Sequence, residues 1–125
     1  MIPEKAIRGF FKSHHPFIDD SDLPRRAEVA LVLDVSLDNN DPNILFIQRA
    51  ECEKDPWSGQ MAFPGGRRET IDLVDGDAAC RETAEEIGLQ IGTAQLIGRL
   101  NDMRGRHGGR SADLMISCFV FVTDQ

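Results

Sequence analysis

Residues 63–89 read FPGGRRETIDLVDGDAACRETAEEIGL and bring a Gly-Gly pair, an acidic loop and a helical pattern together in one short stretch. The pattern predicts a helix over residues 77–87. Asp77 is a residue type that commonly caps a first turn, and Gly88 is one that commonly ends a last turn. The stretch therefore predicts a capped helix directly behind two glycines and a loop.

The predicted helix has two chemically different faces. At about 100° per residue, three carboxylates fall within one arc: Glu82, Glu85 and Glu86. The adjoining arc carries the side chains that we expect to pack on the core: Ala79, Cys80, Thr83 and Ile87. Four further acids precede or begin the helix: Glu69, Asp72, Asp75 and Asp77. An Arg81–Glu85 pair four residues apart contributes only about 0.3 to 0.5 kcal/mol, so it does not offset this concentration of negative charge.

Two interpretations fit these acids. Mg²⁺ is commonly held by a few carboxylates together with the phosphate oxygens of a substrate, which favours a metal site on the carboxylate face. Alternatively, the acids form a solvated surface, which is the usual explanation for charged side chains on a helix. The spacing alone leaves both interpretations open.

The length and the net charge of the chain limit the size of the protein and the classes of ligand that such a site can bind. A chain of 125 residues is long enough for one compact domain, and 41% apolar with 28% charged residues is ordinary globular composition. The formal net charge of −7 argues against polymeric nucleic acid as a partner, since that requires a basic face. A small phosphorylated ligand needs only a bound metal or a few local cations, and remains compatible with an acidic protein.

Two features that the sequence lacks predict the cellular compartment of the protein. We expect no membrane association, because no apolar stretch approaches about 18 residues and the first residues do not resemble a signal peptide. The three cysteines are widely spaced and form no CxxC pair, so neither a disulfide framework nor a zinc site is indicated. A reducing cytoplasm is the expected compartment.

Hydrophobic periodicity predicts an α/β arrangement around the acidic helix. Ile7, Phe10 and Phe11 recur at helical spacing and predict an amphipathic N-terminal helix. Runs of apolar residues predict strands at 27–35, 43–50, 61–64, 93–100 and 114–122. The first two are expected to form a hairpin, while the glycine-rich residues 101–113 are expected to form a loop.

At this point the sequence resembles a known family. RETAEEIGL, residues 81–89, is similar to the second half of the Nudix box, GX5EX7REUXEEXGU with U a bulky aliphatic residue, and Gly66 matches its opening glycine. The resemblance covers roughly residues 27–122 and implies an α/β/α sandwich with a mixed β-sheet. Fifteen steps separate Gly66 from Arg81 where the pattern has fourteen, so the mid-box acid is Asp72 or a neighbour. Thr83 replaces an aliphatic residue of the pattern.

The resemblance also implies a site and a reaction. Glu82, Glu85 and Glu86 would hold Mg²⁺ or Mn²⁺ with help from the Gly66 carbonyl, and Arg81 would orient a carboxylate. The implied reaction is hydrolysis of a nucleoside diphosphate linked to another group. Glu82 is the candidate general base, although in this family a downstream loop can also provide the base.

The segment before the box bears on the substrate. GQMAFPGG, residues 59–66, resembles the segment that precedes the box in coenzyme A pyrophosphatases of the same superfamily, although a spaced arginine of that segment is absent. Coenzyme A is therefore the favoured substrate, while ADP-ribose, dinucleotides and nucleoside triphosphates remain open. A Nudix-fold module that binds a nucleotide without cleaving it is the competing hypothesis.

Four residues are candidates for substrate binding. Trp57 could stack on a base or simply pack beside Pro56, and Arg49 could reach a phosphate or be an ordinary charge at a strand end. Arg104 and Arg106 belong to a basic cluster that could close on phosphates or form only a mobile surface loop.

The predicted organisation has two parts, a helix and connecting segment over residues 1–26 and a Nudix-like domain over residues 27–125. The sequence ends just after a predicted strand, whereas Nudix domains generally continue into another helix that covers the sheet. We expect one of three situations: the helix with Phe10 and Phe11 covers that face, a homodimer partner covers it, or the domain is truncated at its C-terminus.

Overall fold

A computed structural model describes residues 1–19, 25–48, 59–107 and 110–125, without the side chains of residues 106, 107 and 110–113. Its elements are α1 (Glu4–Ser13), β1 (Arg25–Asp34), β2 (Asn43–Ile44), β3 (Ile47–Gln48), β4 (Met61–Ala62), β5 (Gly65–Arg67), α2 (Asp77–Ile87), β6 (Leu96–Arg99), β7 (Met103–His107) and β8 (Arg110–Thr123). Neither of these helices has the length and apolar character needed to cross a bilayer.

A mixed sheet of six strands organises the described chain. Its centre is the parallel pair of β1 and β8, whose register runs from Arg25 opposite Leu114 to Asp34 opposite Thr123. Strands β2 and β5 pair antiparallel with β1, and strands β6 and β7 pair antiparallel with β8. Strands β3 and β4 form a separate antiparallel ribbon. Parallel and antiparallel pairs therefore coexist, as the predicted mixed sheet requires.

Each face of this sheet packs against one helix. Side chains alternate across a strand, so Phe119 and Phe121 of β8 join one core cluster with Ala79 of α2. Val120 and Val122 lie on the opposite face, in the cluster against which Ile7 and Phe11 of α1 pack. The predicted α/β/α sandwich is therefore confirmed.

Helix α1 covers part of one sheet face. From the sequence, we expected this face to be covered by the N-terminal helix or by a homodimer partner, or the domain to be truncated at its C-terminus. Phe11 lies so close to Gly98 of β6 that a Cβ there would stand 2.5 Å from the ring. Phe10 is 55% exposed, although its ring meets that of Phe11 edge to face. One phenylalanine of the pair thus belongs to the core, and the other lies at the surface.

The strands differ from the predicted ones in several places, and β5 (Gly65–Arg67) falls where the sequence predicted a loop. The single strand predicted at 43–50 is interrupted after Ile44 and resumes at Ile47, and residues 49 and 50 lie outside the described part. The loop predicted at 101–113 is wrong for most of its length, because β7 pairs with the first half of β8. Glycine-rich composition indicated a turn, but the ladder between these strands satisfies the backbone groups instead.

The approach of β5 to β1 yields a testable prediction. A Cβ on Gly65 would collide with the backbone oxygen of Glu28 and lie 2.7 Å from Val29 Cα, and backbone atoms cannot rotate away. We expect Gly65→Ala to lower the free energy of unfolding by on the order of 3 kcal/mol in urea titration.

Gly9 provides the matched control for this substitution. It lies inside α1 with nothing within 4 Å of its added Cβ, so Gly9→Ala should raise the free energy of unfolding by about 0.5 to 1 kcal/mol. Equal effects of the two substitutions would show that the close approach at Gly65 is not what makes glycine necessary there.

Candidate active site

Helix α2 occupies the predicted residues, Asp77–Ile87, but begins differently from the prediction. Its end is as expected, since Gly88 has φ 71° and donates its N–H to the Ala84 carbonyl at 2.9 Å. At the start, Gly76 takes the N-cap position with φ 96°. The predicted capping by Asp77 is wrong, because its carboxylate accepts from the N–H groups of Leu73 and Val74 and closes the preceding loop.

The cap of α2 comes from β1. The Glu28 side chain accepts hydrogen bonds from the N–H groups of Gly76 and Ala79, both at 3.1 Å. Glu28 is only 3% exposed. Sequence reasoning missed this contact because the partners are 48 and 51 residues apart. The one available signal was an acid directly before the apolar run of a predicted strand.

The packing face of α2 is centred nearer its start than predicted. Ala78, Ala79 and Thr83 are buried, whereas Ile87 is 39% exposed and so lies at the edge of that face. The Thr83 hydroxyl donates to the Ala79 carbonyl at 2.7 Å, which satisfies a polar group where the family pattern has an aliphatic one. Cys80 is half-buried, and burial raises the pKa of its free thiol.

Arg81 lies among carboxylates from the loop and the helix. Its Nε and Nη2 bind the two oxygens of Asp72 at 3.2 and 3.0 Å, and its Nη1 binds Glu82 at 3.0 Å. The predicted pair with Glu85 is longer, at 3.6 Å, and Glu69 is at the same distance. Hydrogen bonding between Arg81 and buried Asp72 lowers the pKa of Asp72 and raises that of Arg81. Asp72 is therefore the loop acid held most firmly by Arg81.

Two of the three helix glutamates lie against the Gly-Gly strand. A Cβ on Gly66 would stand 2.5 Å from Glu82 Cδ, so this glycine leaves room for the carboxylate. Glu86 accepts a hydrogen bond from the Gly65 N–H at 3.1 Å. The Glu85 side chain is 59% exposed. Two carboxylates of the helix therefore contact β5, although Glu86, like Glu85, is exposed to solvent.

These donors fit a hard divalent cation by their chemistry. Carboxylate and backbone carbonyl oxygens are ligands that Mg²⁺ and Mn²⁺ prefer, and Glu82, Glu86 and Gly66 lie beside one another. Within the described ranges, however, no three Asp, Glu, His or Cys side chains are gathered as a metal site requires. The residues that could hold a metal are thus neighbours whose carboxylates do not yet converge on one point.

A second set of charges, which the sequence did not reveal, ties the loop before α2 to the sheet. Asp75 binds Arg68 at 3.0 Å and Arg99 of β6 at 3.1 Å. Arg99 continues to Asp102 at 2.8 Å and lies 4.7 Å from the centre of the Phe119 ring. These contacts anchor the loop before α2 to β6 through Arg99.

The predicted substrate-binding residues have different outcomes. Arg49 and Trp57 lie outside the described residues, and so does the side chain of Arg106. Arg104 lies on β7, where its side chain is 46% exposed and its Nε is 3.9 Å from an Asp19 carboxylate oxygen. Binding by these residues stays a prediction.

The sheet, its two helix layers and the acidic helix behind a Gly-Gly strand together define a domain of the Nudix type. The NUDIX domain family matches residues 24–125, and the chain belongs to this family.

The chain is similar in sequence to three curated relatives, among others. The chain is 34% identical over 124 residues to the uncharacterized protein C14C4.10c of Schizosaccharomyces pombe, covering 86% of this chain and 38% of the relative. It is 33% identical to the mitochondrial Nudix hydrolase 15 of Arabidopsis thaliana, covering 79% of this chain and 35% of the relative. The peroxisomal coenzyme A diphosphatase NUDT7 of Mus musculus is 33% identical over 58 residues, or 46% of this chain and 24% of that protein. The chain thus spans well under half the length of these relatives.

Known structures share the fold at lower identity. A MutT/nudix family protein from Enterococcus faecalis superposes with a TM-score of 0.63 at 16% identity, covering 98% of this chain and 49% of the other. A bifunctional NMN adenylyltransferase/ADP ribose pyrophosphatase from Francisella tularensis, complexed with AMP and a Mn ion, gives 0.54 at 24% identity and covers 98% and 34%. These superpositions establish the fold.

The Arg81–Asp72 pair predicts a pH dependence of stability. Because the folded-state pKa of Asp72 lies below its usual 3.8, its stabilising effect is complete above 3.8 and is lost as the pH falls through the lower folded-state value. Urea titrations of the wild type and of Asp72→Asn should therefore differ most near neutral pH. The difference should shrink steadily as the pH falls from about 4 to about 2. A difference that stays constant over this range would contradict the assignment to Asp72.

Proposed function

We propose that this chain hydrolyses a nucleoside diphosphate linked to another chemical group, with Mg²⁺ or Mn²⁺ as cofactor. The observation that carries the proposal is the position of Glu82 and Glu86 against Gly66 and Gly65, with Arg81 binding Glu82 from the side. A solvated acidic face requires no glycine beside it and no arginine beneath it. The contacts therefore favour the metal site over the alternative that the spacing had left open.

Each residue has a proposed role. Glu82, Glu85 and Glu86 would hold the cation with the Gly66 carbonyl, and a cation bound there would neutralise diphosphate charge and lower the pKa of a bound water. Arg81 is already hydrogen-bonded to Glu82 at 3.0 Å and fixes the direction of that carboxylate. Asp72 in turn holds Arg81 through two hydrogen bonds.

Glu82 is the proposed general base. Its side chain is 22% exposed and lies between Arg81 and Gly66, so it stands at the inner edge of the carboxylate group. From there it would accept a proton from an attacking water on the side of the strand. A base provided by another loop is the alternative.

Coenzyme A is the proposed substrate class. The GQMAFPGG segment and the match to the coenzyme A diphosphatase of Mus musculus both support it. ADP-ribose is the alternative, because a structure with the same fold is described as an ADP ribose pyrophosphatase. We propose Arg49, Arg104 and Arg106 as phosphate contacts and Trp57 as a base contact, whichever nucleotide is bound.

The cellular location and the oligomeric state of the protein are also proposals. One relative is named as mitochondrial and another as peroxisomal, so the cytoplasm is one candidate location among several. A homodimer stays a prediction, which gel filtration can test.

A nucleotide-binding module without catalysis is the alternative function. The intact REXXEE helix and its contacts with β5 argue against that module, since the loss of a carboxylate would be its expected mark.

The substrate is identified by turnover of a panel: coenzyme A, ADP-ribose, a dinucleoside polyphosphate, NADH and the nucleoside triphosphates. Each is incubated with and without Mg²⁺ or Mn²⁺ and followed by liquid chromatography with mass detection. We expect coenzyme A to yield 4′-phosphopantetheine and 3′,5′-ADP only when metal is present. Binding of a nucleotide without any cleavage would favour the non-catalytic module.

The metal ligands are tested by Glu85→Gln and Glu86→Gln. Substitution of a residue that only supports a metal ligand typically lowers activity or metal affinity by about 10- to 100-fold. Because Glu85 and Glu86 are proposed as ligands themselves, we expect each substitution to lower kcat/KM by about 100-fold or more. Glu4→Gln on α1, which packs on the opposite face of the sheet, is the control and should leave kcat/KM unchanged. Unchanged turnover in both Glu85→Gln and Glu86→Gln would contradict the proposal.

A further inference from the structure

One buried acid has no part in the proposed reaction. Glu28 lies within β1 and is only 3% exposed, although it carries an ionisable side chain. Burying a charged group is costly unless the protein provides hydrogen bonds or an opposite charge. The contacts that meet this cost therefore indicate what the residue does.

The Glu28 carboxylate binds the first turn of α2. Its Oε1 accepts from both Gly76 N–H and Ala79 N–H at 3.1 Å, and its Oε2 lies 3.2 Å from Gly76 N. These N–H groups belong to the helix end, where they have no partner within the helix and the helix dipole is positive. The Arg68 guanidinium adds an opposite charge at 3.9 Å. The contacts hold the start of α2 against the sheet.

The backbone of the same residue holds the Gly-Gly strand. Glu28 pairs with Gly66, and Val29 pairs with Gly65, in the antiparallel ladder between β1 and β5. A Cβ on Gly65 would collide with the Glu28 carbonyl oxygen, so β5 can approach only because glycine stands there. One residue thus contacts both halves of the proposed metal site, the strand through its backbone and the helix through its side chain.

We propose that Glu28 is a positioning residue, which sets the distance between the Gly66 carbonyl and the glutamates of α2. The role rests on the proposed function, because it concerns the geometry of the same metal site. Glu28 does not contact the metal or the substrate in this role. It fixes where α2 begins, and hence how deeply Glu82 and Glu86 reach beside β5.

Two substitutions separate this positioning role from general stability. Glu28→Gln keeps the side-chain length and an amide oxygen that can accept from both N–H groups, whereas Glu28→Asp is one methylene too short to reach them. Val120→Ala is the control. It opens a cavity in the cluster on the α1 face of the sheet and so lowers stability without touching α2.

The measurement is the Kd for Mn²⁺, by isothermal titration calorimetry on the metal-free full chain, beside urea unfolding of each variant. We expect Glu28→Gln to stay within about threefold of the wild type, and Glu28→Asp to raise the Kd by about tenfold or more. Val120→Ala should lose stability and keep the wild-type Kd. If Glu28→Asp does not fold, Arg68→Met takes its place, with an expected rise in the Kd of about tenfold from loss of the cation beside Glu28.

The outcomes distinguish the two proposals. A wild-type chain that binds no Mn²⁺ and cleaves nothing would overturn the proposed function, and the role of Glu28 with it. A wild-type chain that binds Mn²⁺ while Glu28→Asp, or Arg68→Met in its place, binds equally well would overturn only the positioning role. A raised Kd in Val120→Ala equal to that in Glu28→Asp would also overturn it, because any loss of stability would then have the same effect.

Discussion

The close approach of one strand to another strand and to a helix is the constraint on which the site depends. Gly65 has no side chain where the β1 backbone passes, and Gly66 has none where Glu82 of α2 lies. The two glycines therefore serve different neighbours, one on each side of β5. A side chain at either position would push β1 or α2 outward, and the carboxylates of the helix would move away from the strand with it.

This close approach concentrates negative charge, and the fold offsets it with groups from several elements. Arg81 binds Asp72 and Glu82 at once, and the Gly65 N–H binds Glu86. Glu28, itself an acid, is accommodated because it meets the positive end of α2 and not the carboxylates further along it. The contacts of Arg81 with Asp72 and Glu82, and those of Glu28 with α2, are stronger than the Arg81–Glu85 pair that the spacing suggested, because they are buried or part-buried and hydrogen-bonded.

The sequence could predict those features that depend on residues close together in the chain, and it could not predict those that depend on contacts between distant elements. The bounds of α2 and its end at Gly88 followed from local periodicity and a glycine, and the RETAEEIGL motif indicated the fold. The role of Asp77 was mistaken because an acid at a helix start fits both a cap and a loop closure. Glu28 and Arg99 could not be assigned, since their partners lie on other elements and no local pattern marks them. Strand β7 was missed because glycine composition indicates a turn, whereas pairing with β8 is a tertiary effect.

The three glutamates of α2 also differ in how firmly the protein holds them. Glu82 and Glu86 follow buried Ala79 by three and seven residues, so the turn of the helix brings them toward the sheet, where Arg81 and Gly65 hold them. Glu85 lies off this line, and its side chain is 59% exposed. Ordering Glu85 costs side-chain entropy, part of which the two hydrogen-bonded glutamates have already lost on folding. The division suits a site in which two carboxylates are positioned by the fold and the third remains able to adjust to what binds.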